Sequence, residues 1–98
     1  FHPDIINPEP TELIGTGQVS DMAYVQEMIH AIKAVDSHIL VEQAAGITTG
    51  QQVYDLILAG AEATGAASGI CTASDPQATV REMVASVRRA WDTINHRR

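Results

Sequence analysis

Pro8-Glu9-Pro10-Thr11-Glu12-Leu13-Ile14-Gly15-Thr16-Gly17 places a carboxylate at the end of an apolar run, follows it at once with proline, and closes in Gly-Thr-Gly. Proline fixes φ at its own position and biases the residue before it towards extended geometry, so Glu9 is expected on a rigid strand end. Gly15 and Gly17 permit backbone angles and close ligand approach that other residues resist. The stretch therefore reads as a base on a strand end followed by a hinged lid, with Glu12 a weaker rival because it lies on the lid itself.

Upstream, residues 4–8 form the strand that carries Glu9. Downstream, Ser20 or Asp21 is the expected N-cap of a helix with Met22, Val25, Met28, Ile29, Ile32 and Val35 at three- and four-residue spacing. The same order of short apolar run, small-residue loop and helix then recurs. Residues 38–43 are the second strand, running into Ala44-Ala45-Gly46-Ile47. Thr48 or Thr49 caps a helix bearing Val53, Leu56 and Ile57, and Gly60 takes the C′ position. Residues 63–67 are the third strand by their place in the repeat, although they are small rather than β-branched. Ser68-Gly69-Ile70 is the third loop. Asp75-Pro76 starts a last helix that puts Val80, Met83, Val84, Val87, Trp91 and Ile94 on one face, with a basic Arg97-Arg98 tail.

Strands alternating with helices imply βαβ units with parallel strands, an α/β fold. Three such units leave a sheet face and both edges uncovered, whereas parallel sheets are normally buried on both faces. Eight units close the problem as a (β/α)8 barrel, which gathers its functional groups on the loops after the strands' carboxyl ends. All three loops here lie at that end. The chain starts at Phe1 with a strand only a few residues on, and the expectation is that residues 1–98 are the C-terminal part of one longer domain.

Composition narrows the partners. With 98 residues, 18% charged and a formal net charge of −6, the chain is unsuited to a nucleic-acid groove or an anionic membrane surface. Backbone N–H groups can still bind a small anion. One cysteine, Cys71, leaves no internal disulfide and fits a reducing compartment; it and the methionines read as packing residues. No run approaches the ~18 apolar residues of a membrane span.

Glu9 to Gly17, Ala45-Gly46-Ile47-Thr48-Thr49-Gly50 and Ala67-Ser68-Gly69, in this order and spacing, resemble the last three βα units of triosephosphate isomerase, in particular its short archaeal type. The resemblance implies a TIM barrel with this chain supplying strands 6–8 and their helices. It implies that Glu9 is the base that moves a proton between the two carbons flanking a triose phosphate's carbonyl and hydroxyl. Pro10, Thr11 and Glu12 would form the first hinge of the lid, with Leu13, Thr16 and Gly17 also in it. Ile14 and Gly15 on the lid, Gly46 in the seventh loop and Ala67 with Ser68 in the eighth would meet the substrate phosphate. It further implies no cofactor and no metal, a cytoplasmic glycolytic and gluconeogenic enzyme, and a homodimer or homotetramer.

The family's lysine after the first strand and histidine after the fourth belong to an N-terminal barrel segment outside this chain, so the chain alone is expected to be inactive. His2, His30, His38 and His96 do not sit in a matching context. Thr11 stands where the family more often has proline, and Ala44 replaces a usual glycine. Glu42 and Gln43 are polar where a strand of this kind is mostly apolar, and either one facing the barrel interior would need a partner. Two alternatives remain open: another phosphosugar-binding barrel, and a non-catalytic half-barrel that oligomerises through its open sheet.

Overall fold

The computed structural model describes residues 3–9 and 22–96. In chain order its elements are β1 (Ile5–Ile6), α1 (Met22–Val35), β2 (Leu40–Val41), α2 (Gly50–Leu58), α3 (Ser68–Cys71) and α4 (Pro76–His96). β1 and β2 pair in parallel, with Ile5 opposite Leu40 and Ile6 opposite Val41. The expected β-helix alternation and parallel pairing are present, but the regular strands are shorter than residues 4–8 and 38–43. The third strand is reduced to one parallel bridge between Glu42 and Ala63. There Gln43 N–H donates to the Ala63 carbonyl, while the Gln43 carbonyl accepts from the Thr64 hydroxyl at 2.7 Å. A side chain thus takes an acceptor that a continuing ladder would use. The Ser68-Gly69-Ile70 loop winds into the single helical turn α3.

Local chemistry explains where the helices begin and end. Thr49 caps α2 through a reciprocal box: its hydroxyl accepts from Gln52 N–H at 3.2 Å, and Gln52 Oε1 accepts from Thr49 N–H at 3.0 Å. Gln52 Oε1 also accepts from Thr48 N–H at 2.7 Å. At the other end Gly60 has φ +119°, Gly60 N–H donates to Ile57 and Ala61 N–H to Leu56. These two bonds form a Schellman closure that needs a residue free to adopt positive φ. Asp75 caps α4 by accepting from Ala78 N–H at 3.1 Å, and Pro76 is the first helical residue. The expected caps Ser20 and Asp21 and the Arg97-Arg98 tail lie outside the described residues.

The core comprises Val25, Ile47, Val53, Leu56, Ile57, Ala61, Met83 and Ala90, with Ile29, Ala66 and Ile94 packed against it. On α1 only Val25 of the expected stripe is fully buried, and Val35 is exposed. α4 departs further. It buries Met83, Ser86 and Ala90, whereas Val80, Val84, Val87 and Trp91 are 40%, 64%, 37% and 54% exposed. The reason is the close approach of α2: a Cβ on Gly50 would come within 2.5 Å of Ser86 Oγ, so only small residues fit between the two helices. Glu82 reinforces this seam by accepting from Gly50 N–H at 3.3 Å. Cys71, expected to pack, is exposed.

Polar contacts fix the ends of the sheet. Lys33 Nζ donates to the carbonyls of Ser37 at 3.1 Å and Ile39 at 2.7 Å and pairs with Glu62, whose Oε1 accepts from Val41 N–H at 3.2 Å. One partly buried ion pair therefore ties the turn after α1, the start of β2 and the segment before Ala63.

Candidate functional site

Glu9 lies three residues beyond the end of β1 and is half-buried. It lines a small cavity of about 70 Å³ with Ala44, Gly46 and Ile47 of the second loop and with Ala66, Ala67, Ser68 and Gly69 of the third. All of these follow the carboxyl ends of parallel segments. Three short stretches far apart in the chain meet because the parallel register points their ends the same way.

Two glycines permit this convergence. Gly46 has φ +70°, in the left-handed region, which turns the second loop sharply after β2. Gly69 sits against the second loop so closely that a Cβ would clash with the Ile47 carbonyl oxygen. Ile47 is itself only 3% exposed, so the loop is anchored in the core and cannot readily yield.

The wall opposite Glu9 is made of small residues and backbone. The N–H groups of Ile70 and Cys71 both donate to the Ala67 carbonyl, closing the α3 turn, and Thr72 N–H and hydroxyl donate to the Ser68 carbonyl. The N–H groups of Gly46, Ile47, Ser68 and Gly69 have no acceptor among the described residues. A carboxylate thus faces a small cavity lined by residues with spare backbone donors. This arrangement can remove a proton from one part of a bound molecule while N–H groups hold an anionic group at another.

Of the residues singled out from sequence, Glu9, Gly46, Ala67 and Ser68 come together here. Ile14 and Gly15, and the lid positions Pro10, Thr11, Glu12, Leu13, Thr16 and Gly17, lie outside the described residues. Ala44, Ile47, Ala66 and Gly69 also line the cavity without having been singled out as site residues. Their signal was the small-residue character of both loops. His30, His38 and His96 are exposed and none of them lines the cavity. Gln43 is 2% exposed with Nε2 unpartnered among the described residues, and the half-buried Glu42 points to the other side of its strand.

No described helix is long and apolar enough to cross a membrane. A family model described as triosephosphate isomerase matches residues 1–73. Triosephosphate isomerase of Saccharolobus solfataricus is 37% identical over 90 residues, covering 90% of this chain and 40% of the relative. That of Sulfolobus acidocaldarius is 34% identical, covering 94% and 41%, and that of Methanobrevibacter smithii 33%, covering 89% and 40%. The chain therefore spans about 40% of the length of these relatives. A chain in the crystal structure of the Amycolatopsis orientalis BexX/CysO complex superimposes with a TM-score of 0.68 at 20% identity, over 88% of this chain and 32% of that one, a likeness of fold alone. The family match over residues 1–73 and the identity to these relatives over about 90% of the chain agree: the chain belongs to the triosephosphate isomerase family, as a fragment of its barrel.

Proposed function

We propose that this chain is the base-carrying and phosphate-binding part of a triosephosphate isomerase, its strands corresponding to strands 6–8 of the barrel. The reaction interconverts dihydroxyacetone phosphate and glyceraldehyde 3-phosphate. Glu9 takes a proton from the carbon bearing the hydroxyl, the electron pair moves into an enediolate, the hydroxyl proton passes to the former carbonyl oxygen, and the protonated Glu9 returns its proton to the neighbouring carbon, leaving a carbonyl where the hydroxyl was. No redox partner is consumed. The observation that carries this reading is the shared cavity, which joins Glu9 to Gly46, Ala67 and Ser68.

A carboxylate that abstracts a proton from carbon works best where water is excluded and the developing negative charge is stabilised. Spare N–H groups at Gly46 and Ser68 suit the phosphate, which explains how an acidic chain accommodates a dianion. Residues 10–17 are assigned the covering role, with Ile14 and Gly15 meeting the phosphate. Lysine and histidine partners come from an N-terminal barrel segment. The enzyme is assigned to the cytoplasm, to glycolysis and gluconeogenesis, and to a homodimer or homotetramer, and needs no cofactor.

The deciding experiment replaces Glu9 by Gln in the complete enzyme. The expected result is a fall in kcat of at least about a thousandfold with KM changed much less, since the lost interaction belongs to the transition state. Retention of wild-type kcat overturns the assignment.

A further inference from the structure

We propose that Gln52 is a positioning residue of the phosphate site: its side-chain amide oxygen holds the second loop in its binding shape before a ligand arrives and decides which N–H groups of that loop stay free. This rests on the isomerase reading above and adds to it a residue that does not itself line the cavity.

Gly46, at φ +70°, is the point of the loop with the widest conformational freedom, so its neighbours must hold it. Before it, the chain is tied to the third segment by Gln43 N–H on the Ala63 carbonyl. After it, Ile47 is sunk in the core, but Thr48 and Thr49 are exposed. Gln52 secures these two. Its Oε1 accepts from Thr48 N–H at 2.7 Å, from Thr49 N–H at 3.0 Å and from the Thr48 hydroxyl at 3.3 Å. The box that caps α2 needs only the Thr49 bond. Both bonds to Thr48 reach past the cap into the loop, and the shortest of the three is one of them.

These bonds also sort the donors. Thr48 and Thr49 N–H are taken by Gln52, and Gly50 N–H by Glu82 Oε1. Gly46 and Ile47 N–H keep no acceptor among the described residues, and the same holds for Ser68 and Gly69 across the cavity. An anion is therefore met between the second and third loops, not at the first turn of α2. Donors fixed in advance lower the cost of ordering the site on binding.

The adjacent Gln51 supplies a contrast within one helical turn. Its Nε2 donates to Asp55 Oδ1 at 2.9 Å, further along α2, and makes no bond to the loop among the described residues.

The test measures kcat, KM and competitive inhibition by inorganic phosphate in the complete enzyme carrying Gln52→Met, which keeps the side chain's length and removes the acceptor. The expected result is a rise of about threefold to tenfold in KM and in the phosphate inhibition constant, with kcat within about twofold of wild type. Gln51→Met should leave all three within about twofold. Unchanged phosphate inhibition in Gln52→Met, or an equal rise in Gln51→Met, overturns the positioning role while leaving the isomerase reading standing. Amide hydrogen exchange of the wild-type enzyme tests the role without any variant. Thr48 and Thr49 should be protected before phosphate is added, and Gly46 and Ile47 should gain protection only on its addition. Unprotected Thr48 and Thr49 in the phosphate-free enzyme overturn the role. A wild-type enzyme without isomerase activity overturns the isomerase reading and the role together.

Discussion

Gly69 lies against Ile47 with no room for a Cβ between them: an added carbon would clash with the Ile47 carbonyl oxygen. This contact holds the third loop on the second and gives the cavity its two-sided wall. Gly69→Ala is expected to destabilise the chain by about 1–3 kcal/mol, because the obstacle is backbone rather than a flexible side chain. Gly65→Ala, whose added carbon makes only ordinary contact with Glu42, should stay within about 0.5 kcal/mol of wild type. Urea unfolding of the two variants side by side measures the difference.

The α2–α4 seam supports a double-mutant test. Gly50→Ala drives a Cβ into Ser86 Oγ and Glu82 Cγ and should cost about 1–3 kcal/mol. Ser86→Gly removes one of the two obstacles, so the double variant should recover part of that loss. Additive losses from the two changes would show that the helices separate and do not interlock.

Gly46→Ala addresses the cavity without touching Glu9. Its φ of +70° is costly for a residue with a Cβ, by roughly 1–2 kcal/mol. In the complete enzyme the change should raise KM, and the inhibition constant of inorganic phosphate, by about tenfold, with a smaller effect on kcat. Unchanged phosphate inhibition would remove this loop from the phosphate site.

Lys33→Met retains the apolar stem and deletes the ammonium that joins two carbonyls to Glu62. Partial exposure, 27% for the Lys33 side chain and 36% for Glu62, limits the ion pair's worth. The expected loss is about 1–2 kcal/mol, most of it from the carbonyl bonds. Thermal unfolding at low and high salt checks the division: the gap between variant and wild type should narrow by only a small part in salt.

What the chain's own residues determined was mostly local. The Thr49–Gln52 box, the Gly60 closure and the Asp75-Pro76 start each depend on bonds spanning five residues or fewer, so the identities at those positions suffice to specify them. That Glu9 and the two small-residue loops belong together was suggested by their order, and they do line one cavity. Strand length was not legible, because Thr64 and its small neighbours allow a side-chain bond to replace the ladder. The buried face of α4 was not either. Its hydrophobic periodicity favours Val84 and Trp91, yet Ser86 and Ala90 are the residues enclosed. Only tertiary packing chooses between those faces, since the choice rests on how near Gly50 lets α2 approach. The meeting of Glu9 with Gly46, Ala67 and Ser68 has the same origin: sequence supplies the chemistry, and the shared direction of parallel segments brings it to one cavity.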